Sequence, residues 1–283
     1  MEFCFIYNEV MFRVSCIQLR SNNNIHHNLE RTTILIKKAV LQKTDFILTP
    51  EVSSQFSLKK NELLKTCTSM NRDIYLNGVK KLAKKYKKWI LVGSIIIKVS
   101  KNKLVNRSVL IDKNGKIRSF YDKIHMYDVV LSKKEKYSES KTFNAGKNQK
   151  TFNLPWGKLG LSICYDLRFP NHYRKLSKAG SIFLSVPSAF TETTGNKHWH
   201  TLLKARAIEN SCYTCGVNRV GTDGNLVHYN GQSRTFDFLG NRMDQFELDK
   251  TMIDQTICEK SKLNEFRKKF PVLQDADTFT LKY

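Results

Sequence analysis

A single cysteine stands where a predicted buried strand ends and a sharp turn begins. Residues 159–163 are apolar around one glycine, which is typical of a buried strand, and Cys164 follows them directly. The polar residues 165–168 and Pro170 then predict a tight turn. A thiol at this point can attack an electrophilic carbon while the N–H groups of the turn face the oxyanion that forms. Free cysteine is also a common core residue, so a catalytic Cys164 requires partners elsewhere in the chain.

Glu51 and Lys123 occupy the same kind of position as Cys164. Glu51 follows a predicted strand at 45–49, and Lys123 follows one at 117–121. Because sites in open α/β sheets assemble at the carboxyl ends of strands, we expect the three residues to converge. A carboxylate can take the thiol proton and later protonate a departing nitrogen, while an ammonium stabilises the oxyanion. These residue types therefore indicate cleavage of an amide or a nitrile, with Lys123 favouring the thiolate and burial opposing it.

Predicted strands and helices alternate along the 283 residues without a break. The strands fall at 12–19, 45–49, 90–97, 104–111, 117–121, 149–153, 158–163, 182–186, 213–217, 231–237 and 252–258, and the helices at 28–42, 73–87, 171–177, 196–209 and 259–269. Residues 129–147 are expected to form a loop. The absence of a repeat or a linker predicts one α/β domain over residues 11–283. We expect residues 1–10 to be a non-native or disordered extension, because Met11 would be a natural start.

The net charge of +23 does not have the pattern of a nucleic-acid-binding surface. Lysines are spread over nearly every segment, mostly on the polar sides of predicted helices, which is typical of solvated faces. We therefore expect no nucleic-acid partner, although a basic surface can steer anionic substrates. The longest apolar run, residues 89–97, is far shorter than the roughly 20 residues of a membrane span, so no membrane partner is expected.

Seven irregularly spaced cysteines do not suggest a disulfide framework, which predicts a cytoplasmic location. Cys212 and Cys215 form a CxxC pattern that could suggest a metal or redox pair. They lie in a predicted strand, where residues three apart point to opposite faces, so we interpret both as structural.

Several segments, taken together, resemble the motifs of the nitrilase superfamily of carbon–nitrogen hydrolases. Thr49-Pro50-Glu51, residues 121–128 and residues 164–170 resemble its three signatures, and residues 137–146 resemble the loop that carries a second glutamate. Residues 198–210 resemble the helix that follows the nucleophile. The resemblance extends from Met11 to the C-terminus, with the motifs in order. It implies a four-layer α-β-β-α sandwich that assembles into a homodimer or a larger homo-oligomer.

The same resemblance implies a role for each matched residue. Glu51 would be the general base, Lys123 would stabilise the tetrahedral intermediate, and Cys164 would form a thioester. Glu139 would position substrate or assist proton transfer, and the backbone N–H of Tyr165 would contribute to the oxyanion site. This chemistry implies no cofactor.

The motif at 164–170 resembles most closely the branch that holds omega-amidase and deaminated glutathione amidase. These enzymes cleave the distal amide of a small 2-oxo dicarboxylate skeleton, so the expected partner is a small-molecule amide. The branch implies that Arg168 binds a substrate carboxylate, with Thr194 as a second contact. Residues up to about 210 resemble deaminated glutathione amidase more, whereas 218–224 and 270–277 resemble bacterial omega-amidases. We favour omega-amidase, because 218–224 is expected to border the pocket; other amidases, carbamoylases and nitrilases remain open.

Two alternatives lie outside this family. A Cys–His hydrolase would use His125, His172, His198 or His200 as its base, and a non-enzymatic basic binding protein would require an inert Cys164. A zinc enzyme is poorly supported, because His198 and His200 lack a third ligand at usable spacing, and we expect no metal.

Overall fold

The computed structural model describes residues 11–133, 135–277 and 280, so the expectation for residues 1–10 lies outside the described chain. The strands are β1 (Met11–Gln18), β2 (Phe46–Leu48), β3 (Trp89–Ser100), β4 (Lys103–Ile111), β5 (Ile117–Asp122), β6 (Asp128–Val130), β7 (Lys136–Ser138), β8 (Thr151–Leu154), β9 (Gly157–Leu161), β10 (Phe183–Ser188), β11 (Tyr213–Asn218), β12 (Val220–Thr222), β13 (His228–Asn230), β14 (Arg234–Phe236) and β15 (Met252–Glu259). The helices are α1 (Ile25–Leu41), α2 (Lys60–Thr66), α3 (Ile74–Tyr86), α4 (Pro170–Lys178), α5 (Glu192–Asn210) and α6 (Lys260–Lys269).

Two sheets contain most of these strands. One has the order β15-β1-β2-β3-β4-β5 and the other has the order β14-β11-β10-β9-β8. Strands β1, β2 and β3 are parallel, and β5 runs in the direction of β3 because each is antiparallel to β4. Strands β9, β10 and β11 are parallel in the second sheet. Each sheet therefore has an edge at which the carboxyl ends of several strands meet.

Side chains that alternate between the two faces of each strand form three apolar layers. In β1, Phe12, Val14 and Cys16 face the second sheet, whereas Ile17 packs against the helices on the outer side. Helices α1 and α3 cover the first sheet, and α4 and α5 cover the second. Successive side chains of one strand point to opposite faces, so each strand contributes to two cores. The result is the expected four-layer α-β-β-α sandwich.

The predicted elements lie close to those of the structure, with a few differences. Helix α2 was not predicted, because its seven residues are mostly polar and only Leu63 is fully buried. The predicted loop at 129–147 contains the short strands β6 and β7 and a 3₁₀ turn at Glu139–Lys141. On α5, Trp199 and Leu203 are buried, whereas Ile208 is 42% exposed.

The cysteines of the CxxC pattern do not face each other. Cys212 Sγ lies 3.2 Å from the carbonyl oxygen of Ser181, whereas Cys215 Sγ lies 3.2 Å from the hydroxyl of Thr235. Six cysteines lie in the described part of the chain, and all six are free thiols. None of the described helices has both the length and the apolar character needed to cross a bilayer.

Candidate active site

Glu51, Lys123 and Glu139 form one ion-pair cluster between the sheets. Lys123 Nζ lies 3.1 Å from Glu51 Oε1 and 2.9 and 2.8 Å from the two carboxylate oxygens of Glu139. The side chains of Lys123 and Glu51 are only 2% and 5% exposed. An ammonium has three N–H donors, which matches the three carboxylate oxygens that lie within 3.1 Å of Nζ. The expected convergence of Glu51 and Lys123 is therefore present in the structure.

Opposing influences act on the ionisation of this cluster. Burial by itself would lower the pKa of Lys123, but attraction to Glu139 and Glu51 raises it well above its usual range. Burial raises the pKa of Glu139, although the Lys123 charge acts in the other direction. Lys123 is thus held as a cation at neutral pH by its two carboxyl neighbours.

Cys164 begins a 3₁₀ turn, Cys164–Arg168, at the carboxyl end of β9. Its φ of +48° lies in the left-handed region, which is unfavourable for a residue with a Cβ and is often found at functional sites. The thiol borders a cavity of about 390 Å³ that Glu51, Lys123 and Glu139 also line. Four of the predicted catalytic residues therefore share one cavity.

The Cys164 thiol holds its proton in the free protein. Burial has the largest effect and raises the pKa of Cys164, and the Glu51 charge raises it further. The Lys123 charge lowers this pKa, but its effect is smaller. The sequence leaves this competition open, and in the structure burial and Glu51 outweigh Lys123. A thiol in this state requires a base to become a nucleophile.

The close approach of the turn after β2 to the backbone of β3 fixes the position of Glu51. A Cβ added to Gly93 on β3 would lie 1.9 Å from the carbonyl oxygen of Thr49, so only glycine lets the turn after β2 lie against β3. The N–H of Ser94 donates to the Pro50 carbonyl over 3.2 Å, which closes that contact. Neither Gly93 nor Ser94 was selected from the sequence, because their effect depends on the neighbouring strand.

Asn106 on β4 is a second residue that the sequence did not reveal. Its side-chain Nδ2 donates to Glu51 Oε1 over 2.8 Å. Its backbone carbonyl oxygen accepts from the backbone N–H of Lys123 over 2.9 Å. The N–H of Tyr127 donates to Glu139 Oε2 over 2.7 Å. Asn106 and Tyr127 therefore orient the three charged groups of the cluster.

Asp166 supports the turn that carries the thiol. Its Oδ2 accepts from the Tyr121 hydroxyl over 2.7 Å and from the Ile163 N–H over 2.8 Å. Its Oδ1 lies 2.6 Å from His125 Nδ1 and accepts the His125 N–H over 3.1 Å. Burial would raise the pKa of Asp166, but the hydrogen bond with His125, the charge of His172 and further hydrogen bonds keep it low.

The histidines near the thiol belong to this support. His125 is tied to Asp166, and His172 Nε2 lies 3.2 Å from the Leu161 carbonyl oxygen. His125, Asp166 and His172 bring potential metal-ligand atoms within 4.8 Å of one another, but the Asp166 oxygens already accept four protein hydrogen bonds. A separate cavity of about 560 Å³ borders His125 and His172 and not Cys164. The geometry gives no support to a Cys–His pair formed by His125 or His172.

Comparison with known proteins decides the family. A family model described as carbon–nitrogen hydrolase matches residues 13–258. This chain belongs to the carbon–nitrogen hydrolase family. The nitrilase-superfamily assignment and the sandwich fold expected from the motifs are thereby confirmed.

Relatives of this carbon–nitrogen hydrolase include named amidases. The chain is 33% identical over 264 residues to a deaminated glutathione amidase from Yersinia enterocolitica, covering 92% of this chain and 91% of that protein. It is 29% identical over 278 residues to an omega-amidase from Mus musculus, covering 95% and 97%. The crystal structure of the Caenorhabditis elegans NitFhit protein is similar, with a TM-score of 0.87 and 31% identity, covering 94% of this chain and 65% of that one. The chain is therefore a hydrolase of non-peptide carbon–nitrogen bonds.

None of the predicted substrate-binding residues is among the described residues that line the cavity of this carbon–nitrogen hydrolase. Arg168 Nη1 is 3.1 Å from His198 Nδ1, and its guanidinium lies over the Phe190 ring. The Tyr165 ring packs edge-on against Tyr127, which does line the cavity. Thr194 lies in the first turn of α5. The roles of Arg168, Thr194 and Tyr165 stay predictions.

The segment after β11 does border the cavity, as expected for residues 218–224. Arg219 and Tyr229 line it, with the guanidinium 4.7 Å from the centre of the Tyr229 ring. The sequence predicts this segment at the pocket but indicates no individual role for Arg219. The available signal was its position, because Arg219 follows a parallel strand just as Glu51 and Cys164 do.

Proposed function

We propose that this carbon–nitrogen hydrolase is an omega-amidase that converts 2-oxoglutaramate and water to 2-oxoglutarate and ammonia. The observation that carries the proposal is the grouping of Glu51, Lys123, Glu139 and Cys164 around one cavity. The group contains a protonated thiol, a carboxylate to accept its proton and a fixed cation. These are the components that amide hydrolysis through an acyl-enzyme requires.

The first half of the proposed reaction acylates the enzyme. Glu51 takes the Cys164 proton as sulfur attacks the amide carbon, and the negative charge moves onto the carbonyl oxygen. The Lys123 ammonium and the backbone N–H of Tyr165 stabilise this oxyanion. Glu51 then gives the proton to the departing nitrogen, so the C–N bond breaks and a thioester on Cys164 remains.

The second half returns the enzyme to its starting state. Glu51 accepts a proton from water as the water oxygen attacks the thioester carbon. The C–S bond breaks, the acid product forms, and the proton on Glu51 returns to sulfur. Glu139 acts throughout as a positioning residue, because it holds Lys123 through both carboxylate oxygens.

Two observations favour different leaving groups for the same acyl group. Residues 218–224, of which Arg219 lines the cavity, resemble omega-amidases, which supports ammonia as the leaving group. The relative at 33% identity is named deaminated glutathione amidase, which makes deaminated glutathione the second candidate substrate.

The test compares hydrolysis of 2-oxoglutaramate, deaminated glutathione, a nitrile and an N-carbamoyl amino acid by one protein preparation. We expect the highest kcat/KM with 2-oxoglutaramate and loss of all turnover in Cys164→Ala. Cys258→Ala is the matched control, because Cys258 is a buried cysteine of β15 that does not line the cavity. Turnover that persists in Cys164→Ala contradicts the mechanism, and a preference for the nitrile contradicts the substrate.

A further inference from the structure

Strand β3 contains a β-bulge beside the turn that follows β2. The register of β3 against β4 shifts between Val92 and Ile95. Gly93 and Ser94 of β3 therefore lie opposite a single residue of β4, Ser108. Bulges are frequent beside active sites, where they redirect a side chain or a backbone group out of the regular ladder. The position of this bulge, next to the turn that carries the proposed general base, indicates such a role.

Ser94 is hydrogen-bonded to that turn through three of its groups. Its N–H donates to the Pro50 carbonyl oxygen over 3.2 Å, and its carbonyl oxygen accepts from the Ser53 N–H over 3.0 Å. Its hydroxyl oxygen accepts from the Val52 N–H over 2.9 Å. Ser94 is completely buried, so water cannot replace the hydroxyl as a partner of this N–H. Alanine in place of Ser94 would keep the two backbone hydrogen bonds and remove only the third.

Val52 has a backbone conformation that requires such support. Its φ of +48° lies in the left-handed region, which is unfavourable for a β-branched side chain. Residues in this region persist only where neighbouring contacts fix them. The hydrogen bond from the Val52 N–H to the Ser94 hydroxyl is a contact of this kind. Without it the turn can relax toward an ordinary φ, and Glu51, the residue before Val52, moves with it.

A relaxation of the turn would separate Glu51 from its partners in the catalytic cluster. Glu51 Oε1 accepts from Asn106 Nδ2 over 2.8 Å and from Lys123 Nζ over 3.1 Å. Asn106 belongs to β4 and Lys123 follows β5, so both are held by other strands than the turn after β2. An increase of about 1 Å in either distance breaks the hydrogen bond. The conformation of Val52 therefore controls whether Glu51 reaches the cluster.

We propose that Ser94 is a positioning residue for the general base Glu51. Its hydroxyl holds Val52 in the left-handed conformation, and this conformation keeps the Glu51 carboxylate in the catalytic cluster. The inference rests on the proposed function and deepens it, because it assigns a group outside the cluster that sets the position of the base. Glycine adopts a positive φ without a steric penalty, so the hydroxyl should become dispensable when Val52 is replaced by glycine.

A double-mutant cycle on the hydrolysis of 2-oxoglutaramate tests the proposal. We expect Ser94→Ala to lower kcat at least about tenfold and to leave KM within about twofold, because the position of the base affects the chemical step more than substrate binding. In the Val52→Gly background the same substitution should lower kcat by less than about threefold. Equal losses in the two backgrounds, or an unchanged kcat in Ser94→Ala, would overturn the assignment.

Ser108→Ala is the matched control. Ser108 is equally buried on the other strand of the bulge, but its hydroxyl donates to the Val92 carbonyl oxygen over 3.3 Å and not to the turn. We expect Ser108→Ala to keep kcat within about threefold, even where its Tm falls as much as that of Ser94→Ala. A loss of kcat as large as that of Ser94→Ala would show general damage to the sheet and would contradict the proposal.

Titration of the Cys164 thiol separates this inference from the proposed function, because it requires no turnover. The Glu51 charge raises the pKa of Cys164, so a displaced Glu51 should leave that pKa lower. The thiolate absorbance is recorded against pH for each protein and for its Cys164→Ala counterpart, and the difference is compared. We expect the Cys164 thiolate to form at a lower pH in Ser94→Ala than in wild type, and this shift to disappear in the Val52→Gly background.

The two proposals then fail in different ways. Equal titration curves of wild type and Ser94→Ala contradict the positioning role, whether or not the protein hydrolyses amides. A shifted curve in a protein that hydrolyses no amide supports the positioning role and contradicts the proposed function.

Folding of each variant is checked by circular dichroism and thermal melting. If Ser94→Ala does not fold, hydrogen exchange of the Val52 amide in isotopically labelled wild type provides the test. Exchange as slow as that of the buried amides of β3 supports the proposal, and fast exchange overturns it.

Discussion

Cys164 and Lys123 share a cavity, yet the cation does not ionise the thiol. Loss of water and the neighbouring Glu51 raise the pKa of Cys164 by more than Lys123 lowers it. The balance has a mechanistic consequence, because a protonated thiol reacts only when a base accepts its proton as the substrate is attacked. In the proposed mechanism Glu51 is that base, and Asn106 Nδ2 and Lys123 Nζ hold its carboxylate at 2.8 and 3.1 Å. The pair therefore differs from a resting thiolate–imidazolium pair, in which the nucleophile is already charged.

The ultraviolet absorbance of the thiolate, measured as wild type minus Cys164→Ala, tests this protonation state. A pKa raised above the ordinary value means that the proton stays on sulfur until the pH exceeds about 9. We therefore expect no difference at neutral pH and a rise only in alkaline solution. The raised pKa also affects stability. Because the folded state holds the proton more tightly than the unfolded state, the free energy of unfolding of wild type decreases relative to that of Cys164→Ala as the pH rises above about 8.5. A thiolate signal at neutral pH would contradict the assignment.

The turn after β2 owes its position to the strand beside it. It lies against β3 at Gly93, where an added Cβ would be 1.9 Å from the Thr49 carbonyl oxygen and 2.6 Å from that of Pro50. Backbone atoms cannot move aside as a flexible side chain can, so any side chain at this position must displace the turn. Glu51 lies in that turn, and its distance from Lys123 and from the thiol changes with it.

We expect Gly93→Ala to lower kcat at least about 100-fold, because a misplacement of about 1 Å at a catalytic group has an effect of this size. The fold should persist, as monitored by circular dichroism. Gly78→Ala on α3 is the matched control. The three atoms nearest its added Cβ belong to the Leu29 side chain, and alanine favours a helix over glycine by about 1 kcal/mol. Unchanged kcat in Gly93→Ala would show that the close approach does not position Glu51.

The surface of the whole molecule carries a net charge of +23, and the cavity is bordered by the exposed Lys136 and Lys141. A field of this sign raises the local concentration of an anionic substrate and leaves a neutral one unaffected. The catalytic cluster itself contains two carboxyl groups and one ammonium, so the attraction comes from the surface charge.

Ionic strength tests this steering. The value of kcat/KM for 4-carbamoylbutanoate, an amide that carries a carboxylate, should fall severalfold between roughly 0.01 and 0.3 M salt. The reason is that the screening length decreases from about 30 Å to below 8 Å. The value for pentanamide should stay within about twofold over the same range. A neutral salt that does not bind the cavity is used, and parallel curves for the two amides would show that the surface charge has no role in capture.

The sequence by itself determined the chemistry and the architecture. Glu51, Lys123 and Cys164 each follow a strand with period-2 or continuous apolar character, and sites in α/β proteins lie at the carboxyl ends of such strands. The motifs around them identified the family, which the match over residues 13–258 confirms. Such local signals are sufficient for these predictions, because strand periodicity and turn residues depend on consecutive positions in the chain.

Only the tertiary structure decided which groups meet across the two sheets. Asn106 contacts Glu51 from β4, and Gly93 admits the turn after β2, while Arg219 is buried beside Ser21, which follows β1 of the other sheet. Arg168, four residues from the nucleophile, points instead toward His198 and Phe190. The physical reason is that burial, donor pairing and pKa depend on the groups brought together when the sheets stack, and these groups lie far apart in the chain.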